Sequence, residues 1–120
     1  MKARSAKNKG KRAQNMIREM ILSHFPNLHE DDVVSTLMGD SGTDIKLSHA
    51  ARQEFPYSVE CKNQEKLNVW SSLEQAENNT KEGTSPVLFF KRNRSKMYVA
   101  MDADHFFELI KRPKPIDKTE

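Results

Sequence analysis

The 120-residue sequence predicts an α/β sandwich around a mixed sheet, and three observations carry that prediction. Apolar residues recur at three- and four-residue spacing in three separated stretches. Short alternating or continuous apolar segments lie between them, each bounded by turn residues. The order of the two patterns is helix, three strands, helix, two strands, helix, which suits helices packed on the faces of one sheet.

The first helix is read from Ala13, Met16, Ile17, Met20, Ile21 and Phe25, one apolar stripe that ends before Pro26. Val33 to Met38 reads as a strand, Gly39 and Gly42 mark a turn, and Asp44 to Leu47 is a second, short strand. In "YSVECKNQ", residues 57–64, Tyr57, Val59 and Cys61 alternate with Ser58, Glu60 and Lys62, which makes a third strand with one apolar and one charged face. Asn68 to about Glu82 carries a stripe of Val69, Trp70, Leu73 and Ala76 and stops at Gly83. Trp70 and the methionines read as core packing. "PVLFF" is an uninterrupted apolar strand, "KMYVAMD" another, and "DADHFFELIKR" a closing helix capped by Asp102 or Asp104. The length suits one domain, set at residues 11–112 between a flexible basic arm (1–10) and a loose C-terminal tail (113–120).

Composition excludes several classes. The single Cys61 cannot form an internal disulfide, and no cysteine pair has zinc spacing, so the chain reads as intracellular and cytoplasmic. No apolar run approaches the roughly 20 residues of a membrane span, so no membrane partner is expected. His24, His29, His49 and His105 show no metal spacing and are assigned no chemistry.

The net charge of +3 divides unevenly. Residues 1–12 hold six basic side chains and no acid, while the other 108 residues carry a net −3. "KRNRSK" makes a second basic concentration. Lys7, Lys9, Lys11 and Arg12 in the arm, with Lys91, Arg92, Arg94 and Lys96, are the candidates for holding a phosphate backbone, because each neutralised phosphate releases condensed counterions. A solubilising tail is the plain alternative.

The charged face of the third strand raises the question of chemistry. If "TDIKLS" pairs with it, Asp44 stands on the polar side of the sheet beside Glu60, with Lys62 two residues on. Two carboxylates suit Mg²⁺ or Mn²⁺, and an adjacent amine can orient an attacking water or stabilise developing negative charge. Asp followed by Glu-x-Lys is therefore a minimal kit for cutting a phosphodiester. Asp44-Ile45-Lys46 is a competing Asp-x-Lys, but it leads into a polar loop rather than into the helix.

"GTDIKLS" and "YSVECKN" together resemble the divided signature of the PD-(D/E)XK nuclease superfamily, over roughly residues 9 to 110. Within it the chain is similar to archaeal-type Holliday junction resolvases and small phage endonucleases, through the "KGKRAQ" start, the acids on strands two and three, and the "SPVLFFKR" strand. The resemblance implies a restriction-endonuclease-like αβββαβ core with a central mixed sheet flanked by helices. It implies an Mg²⁺-dependent endodeoxyribonuclease in which Asp44 and Glu60 bind the metal, the Cys61 backbone carbonyl joins its shell and Lys62 is catalytic. Branched DNA as partner and a homodimer follow from the resolvase likeness, since a junction needs two cuts and one chain offers one site. The resolvase pattern expects a carboxylate on the first helix, but here Gln14 takes that position, and Glu19 points about 140° from the apolar stripe. Gln75, in a polar stripe with Ser71, Asn78 and Asn79, is the other candidate near the site. A phage or repair nuclease of different substrate habit, a non-catalytic nucleic-acid-binding module with Glu60 and Lys62 as a mere ion pair, and a protein-interaction adaptor remain the alternatives.

Overall fold

The computed structural model describes residues 2–36 and 42–111, with side chains from residue 5 onward. Helix α1 (Lys2–His24) begins well before the predicted Ala13, so the stretch set apart as a basic arm is helical from Lys2. After a 3₁₀ turn, β1 (Val33–Ser35) and β2 (Ile45–Leu47) pair antiparallel, with Val33 opposite Leu47. β1 ends at Ser35, so Thr36 is not part of it as predicted; the rest of the predicted strand to Met38 and the Gly39 turn lie outside the described residues, as does the predicted tail at 113–120.

A short helix, α2 (His49–Glu54), then interrupts the predicted strand order. Its six residues are too few to show a periodicity, but Ser48 caps it by accepting from the Ala51 N–H at 3.1 Å. Strand β3 (Tyr57–Asn63) follows, then α3 (Val69–Asn78), β4 (Ser85–Lys91), β5 (Tyr98–Ala100) and α4 (Ala103–Ile110). Asn68 caps α3 by accepting from the Ser71 N–H, and Asp102, the first of the two expected candidates, caps α4 by accepting from the His105 N–H.

Strands β3 and β4 run parallel, joined by α3 as the crossover, and β5 adds antiparallel to β4, giving the mixed three-stranded sheet. The two sheets meet at residue 44. The Asp44 N–H donates to the Val59 carbonyl at 2.9 Å, and the Asp44 carbonyl accepts from the Thr36 N–H at 3.0 Å.

The alternation of β3 decides which face meets which helix. Val59 joins Ile17 and Ile21 of α1, together with Val33, Ile45, Ala51 and Val87, in one buried cluster. Glu60 stands on the opposite face, where its register partner Leu88 is fully buried and α3 contributes the buried Ser72 and Ala76.

Two core expectations are corrected. Trp70 is 82% exposed. It lies two residues, about 200°, from Ser72 on α3, so the small side chains Ser72 and Ala76 that let the helix approach the sheet turn Trp70 to solvent. On α1 the buried stripe is Ala13, Gln14, Ile17 and Ile21, which leaves Met16 and Met20 at its exposed margin. A polar Gln14 thus takes a place expected of an apolar residue.

Candidate active site

The seam between the two sheets gathers the charged residues of β3 and the end of the loop before β2. The Asp44 carboxylate does more than share a face with Glu60: its Oδ2 accepts from the Cys61 N–H at 2.7 Å. Asp44 is therefore fixed to β3 by backbone and side chain, at Val59 and at Cys61. One residue along, the Lys62 Nζ lies 3.7 Å from Glu60 Oε2, with Glu60 almost wholly buried. The Asn79 side chain, at the C-terminal cap of α3, lies close enough to the Glu60 carboxylate to favour its charged form. Glu60 Oε1 is buried with no hydrogen-bond partner among the described residues.

Burial on the α3 side, then the charge of Asp44, pushes Glu60 up to about 7, against the pull of Lys62. Burial likewise raises Asp44, although the Cys61 N–H and Lys62 oppose it. Burial, with Asp44 and Glu60 behind it, pushes the Cys61 thiol up to about 12. Cys61 packs against the core cluster, and such a thiol is inert.

A cleft of about 420 Å³ opens over Asp44 and is lined by Gly42, Ser71, Glu74, Gln75, Asn78 and Asn79. Gln75 thus shares a cavity with Asp44. Glu74 escaped the sequence reading, although residues 71, 74, 75 and 78 share one helical face by their three- and four-residue spacing. Gly42 has a φ of +97°, a left-handed conformation that glycine adopts without the cost a side chain would bring. Gln14 is buried on α1, and its Oε1 has no hydrogen-bond partner among the described residues. Glu19 is solvent-exposed and touches Arg18 at 3.2 Å.

A family model described as "Phage putative PDDEXK endonuclease" matches residues 5–120. The chain belongs to this family. Among curated proteins and among solved structures, no significant match is found. PD-(D/E)XK nucleases generally use divalent metals, and among the described residues of this family member no group of three His, Cys, Asp or Glu side chains converges. The oxygens that could serve a hard cation are the Asp44 and Glu60 carboxylates. Their raised pKa values and the orphaned Glu60 Oε1 fit a cation, because a positive charge would satisfy that oxygen and relieve the repulsion between the two acids.

The two basic segments, far apart in the family member's sequence, meet at the C-terminal end of β3. Glu65 Oε2 accepts from the Asn93 N–H at 2.6 Å and lies 4.0 Å from the Lys9 Nζ. The Gln64 N–H donates to the Lys91 carbonyl, and the Asn63 side chain to the Lys9 carbonyl. Lys7 and Arg12 are exposed on α1, and Arg92, Arg94 and Lys96 are exposed on the β4–β5 loop, while Lys11 and Lys91 are half-buried. Lys96 also covers the Tyr98 ring, 5.6 Å from its centroid. No described helix is long and apolar enough to cross a membrane.

Proposed function

We propose that this PD-(D/E)XK family member is a phage-encoded, intracellular DNA endonuclease that depends on Mg²⁺ or Mn²⁺. The observation that carries the reading is the Asp44 carboxylate docked on the Cys61 N–H beside the Glu60–Lys62 pair, with a buried oxygen of Glu60 left unpartnered. Asp44 and Glu60 would hold the cation through their carboxylates. The Cys61 carbonyl is a third candidate, because in a strand the N–H and C=O of one residue leave on the same edge, here the edge facing Asp44. A bound divalent cation would supply a Lewis acid for the phosphoryl oxygen and make water a stronger nucleophile at neutral pH.

The chain's own groups do the rest. The Lys62 ammonium, held near Glu60, orients the attacking water and offsets negative charge developing on the phosphate. Ser71 and Gln75, in the wall of the Asp44 cleft, would donate to the DNA backbone. Gln14 is the remaining candidate for steadying water near the site, and it adds no charge. Lys7, Lys9, Lys11, Arg12, Lys91, Arg92, Arg94 and Lys96 would hold phosphates to either side. Within the class we favour a structure-selective, resolvase-like enzyme acting on branched DNA as a homodimer, since symmetric paired cuts need two copies of one site.

The test is cleavage of matched four-way junction, duplex and single-stranded DNA, with Mg²⁺ and with EDTA, by the wild type and by Lys62→Ala and Asp44→Ala. The expected outcome is metal-dependent cutting that falls at least about 100-fold in both variants while DNA binding persists. Cutting confined to the junction supports the resolvase reading, whereas equal cutting of all three substrates makes the protein a general nuclease. The close Lys62–Glu60 contact also suits a binding module with a structural ion pair. Tight DNA binding without cutting in either metal would favour that reading.

A further inference from the structure

Beside the site, on the side away from the two basic segments, lies a second cationic feature that the charge pattern of the sequence does not reveal. A pocket of about 270 Å³ is lined by Lys46 of β2, Arg52 of α2 and Lys81 of the α3–β4 loop. The hydroxyl-bearing Thr43, Ser58 and Thr84 line it too, and none of its described lining residues is acidic. The three cations come from separate elements, and the backbone carrying Lys81 and the guanidinium of Arg52 are each held by a hydrogen bond. Arg52 donates one guanidinium N–H to the Leu47 carbonyl at 2.8 Å, which leaves most of its donors free. The Lys81 N–H donates to Ser58 Oγ, which is hydrogen-bonded to Thr84 Oγ1 at 2.6 Å. Neither the Lys46 nor the Lys81 ammonium is in an ion pair among the described residues.

The pocket adjoins the candidate active site through the chain itself. Thr43 and Ile45, both lining residues, flank Asp44, and Ser58 lies two residues before Glu60 on β3. The basic segments meet at the other end of the same strand, at Asn63 to Glu65. From Ser58 to Asn63 the strand advances about 17 Å at about 3.3 Å per residue. The Glu60–Lys62 pair lies midway along that length.

We propose that the Lys46–Arg52–Lys81 pocket holds a backbone phosphate of the DNA strand being cut, on the side of the scissile one opposite the phosphates held by the two basic segments. The proposal rests on the nuclease reading for its account of which phosphate is cut. Its ligand chemistry, a phosphodiester anion in a pocket with three cationic lining residues and no acidic one, stands on the pocket. Lysine supplies a point charge there and arginine a fixed fork of donors.

The test uses the full chain in EDTA, so that no cleavage intervenes, and measures DNA affinity across a salt series for the wild type and Lys46→Ala/Lys81→Ala. Both lysines are exposed, so the double variant is expected to keep the wild-type circular dichroism spectrum and melting temperature. Binding should weaken about tenfold, with a salt slope shallower by about 0.9. Lys46→Arg/Lys81→Arg should restore both. A scan of neutral methylphosphonates along the DNA strand should penalise wild-type binding on both sides of the cleavage position and the alanine variant on one side only. Unchanged affinity and slope would overturn the proposal, and so would a variant that binds normally but cuts poorly. If the wild type never cuts in any metal yet binding still depends on these lysines, the nuclease reading falls and the phosphate pocket stands.

Discussion

Glu60 is a carboxylate with one oxygen near an ammonium and the other without a hydrogen-bond partner among the described residues, and its burial, then the charge of Asp44, fixes how it titrates. In the metal-free fold its pKa rises from 4.5 to about 7. Between those two values the native state binds more protons than the unfolded state, so this group's contribution to stability falls as pH rises from about 4.5 to 7 and is constant above. Glu60→Gln removes the fall. Relative to the wild type in EDTA, the variant should gain stability on the order of 2 kcal/mol at pH 8 and little at pH 5, read by denaturant unfolding at the two pH values. Added Mg²⁺ should raise the wild-type melting temperature more at pH 8 than at pH 5 and leave Glu60→Gln nearly unmoved. The proximity of Glu60 and Lys62 was legible in the sequence because strand alternation puts them on one face, whereas that of Asp44 needed the assumption that its segment meets β3, which it does through the Asp44 N–H rather than as a paired strand. The clamp of Asp44 on the Cys61 N–H was not legible, since a side chain reaching a neighbouring strand's backbone leaves no periodicity. Glu74 was hidden for another reason: an acid next to a polar stripe looks like any solvated helix position.

Among the elements, α3 shows how period and composition part company. Its stripe was correctly placed at Ala76 and is half-buried at Leu73, yet Val69 and the largest side chain on it, Trp70, are exposed because the sheet admits only small residues opposite Glu60 and Leu88. Apolar size alone misled the reading, and the Ser72 that replaced Trp70 in the interface carries no hydrophobic signal. Trp70→Ala should therefore change stability by no more than about 0.5 kcal/mol. Ile17→Ala, which empties a fully buried position on α1, should cost about 2–5 kcal/mol. Ala76→Leu should cost about 1–3 kcal/mol by pushing α3 off the sheet, and should lower cleavage by opening the Asn79 contact to Glu60. Chemical denaturation of the three variants separates these outcomes. The strand order was legible because continuous apolar runs such as "PVLFF" mark buried parallel strands. Helix α2 was not, because six residues give less than two turns.

At the scale of the whole molecule, the charge distribution becomes intelligible only once the chain is folded. Two basic clusters some eighty residues apart in the chain are brought to one end of β3 through Lys9, Glu65 and Asn93, a convergence that no local pattern announces. Deleting residues 1–8 removes Lys2, Arg4 and Lys7 but leaves Lys9 on its partners. The deletion should weaken DNA binding with a shallower salt dependence, while cleavage at saturating DNA persists. A salt series of binding isotherms beside single-turnover cleavage tests both halves. Trp70 finally gives the molecule an optical signature. It is the chain's sole tryptophan, and being already in water it should emit at long wavelength in the native state and shift little on unfolding. Global unfolding is then better followed by circular dichroism. The same emission, arising from the helix that walls the Asp44 cleft, is left to report the arrival of DNA.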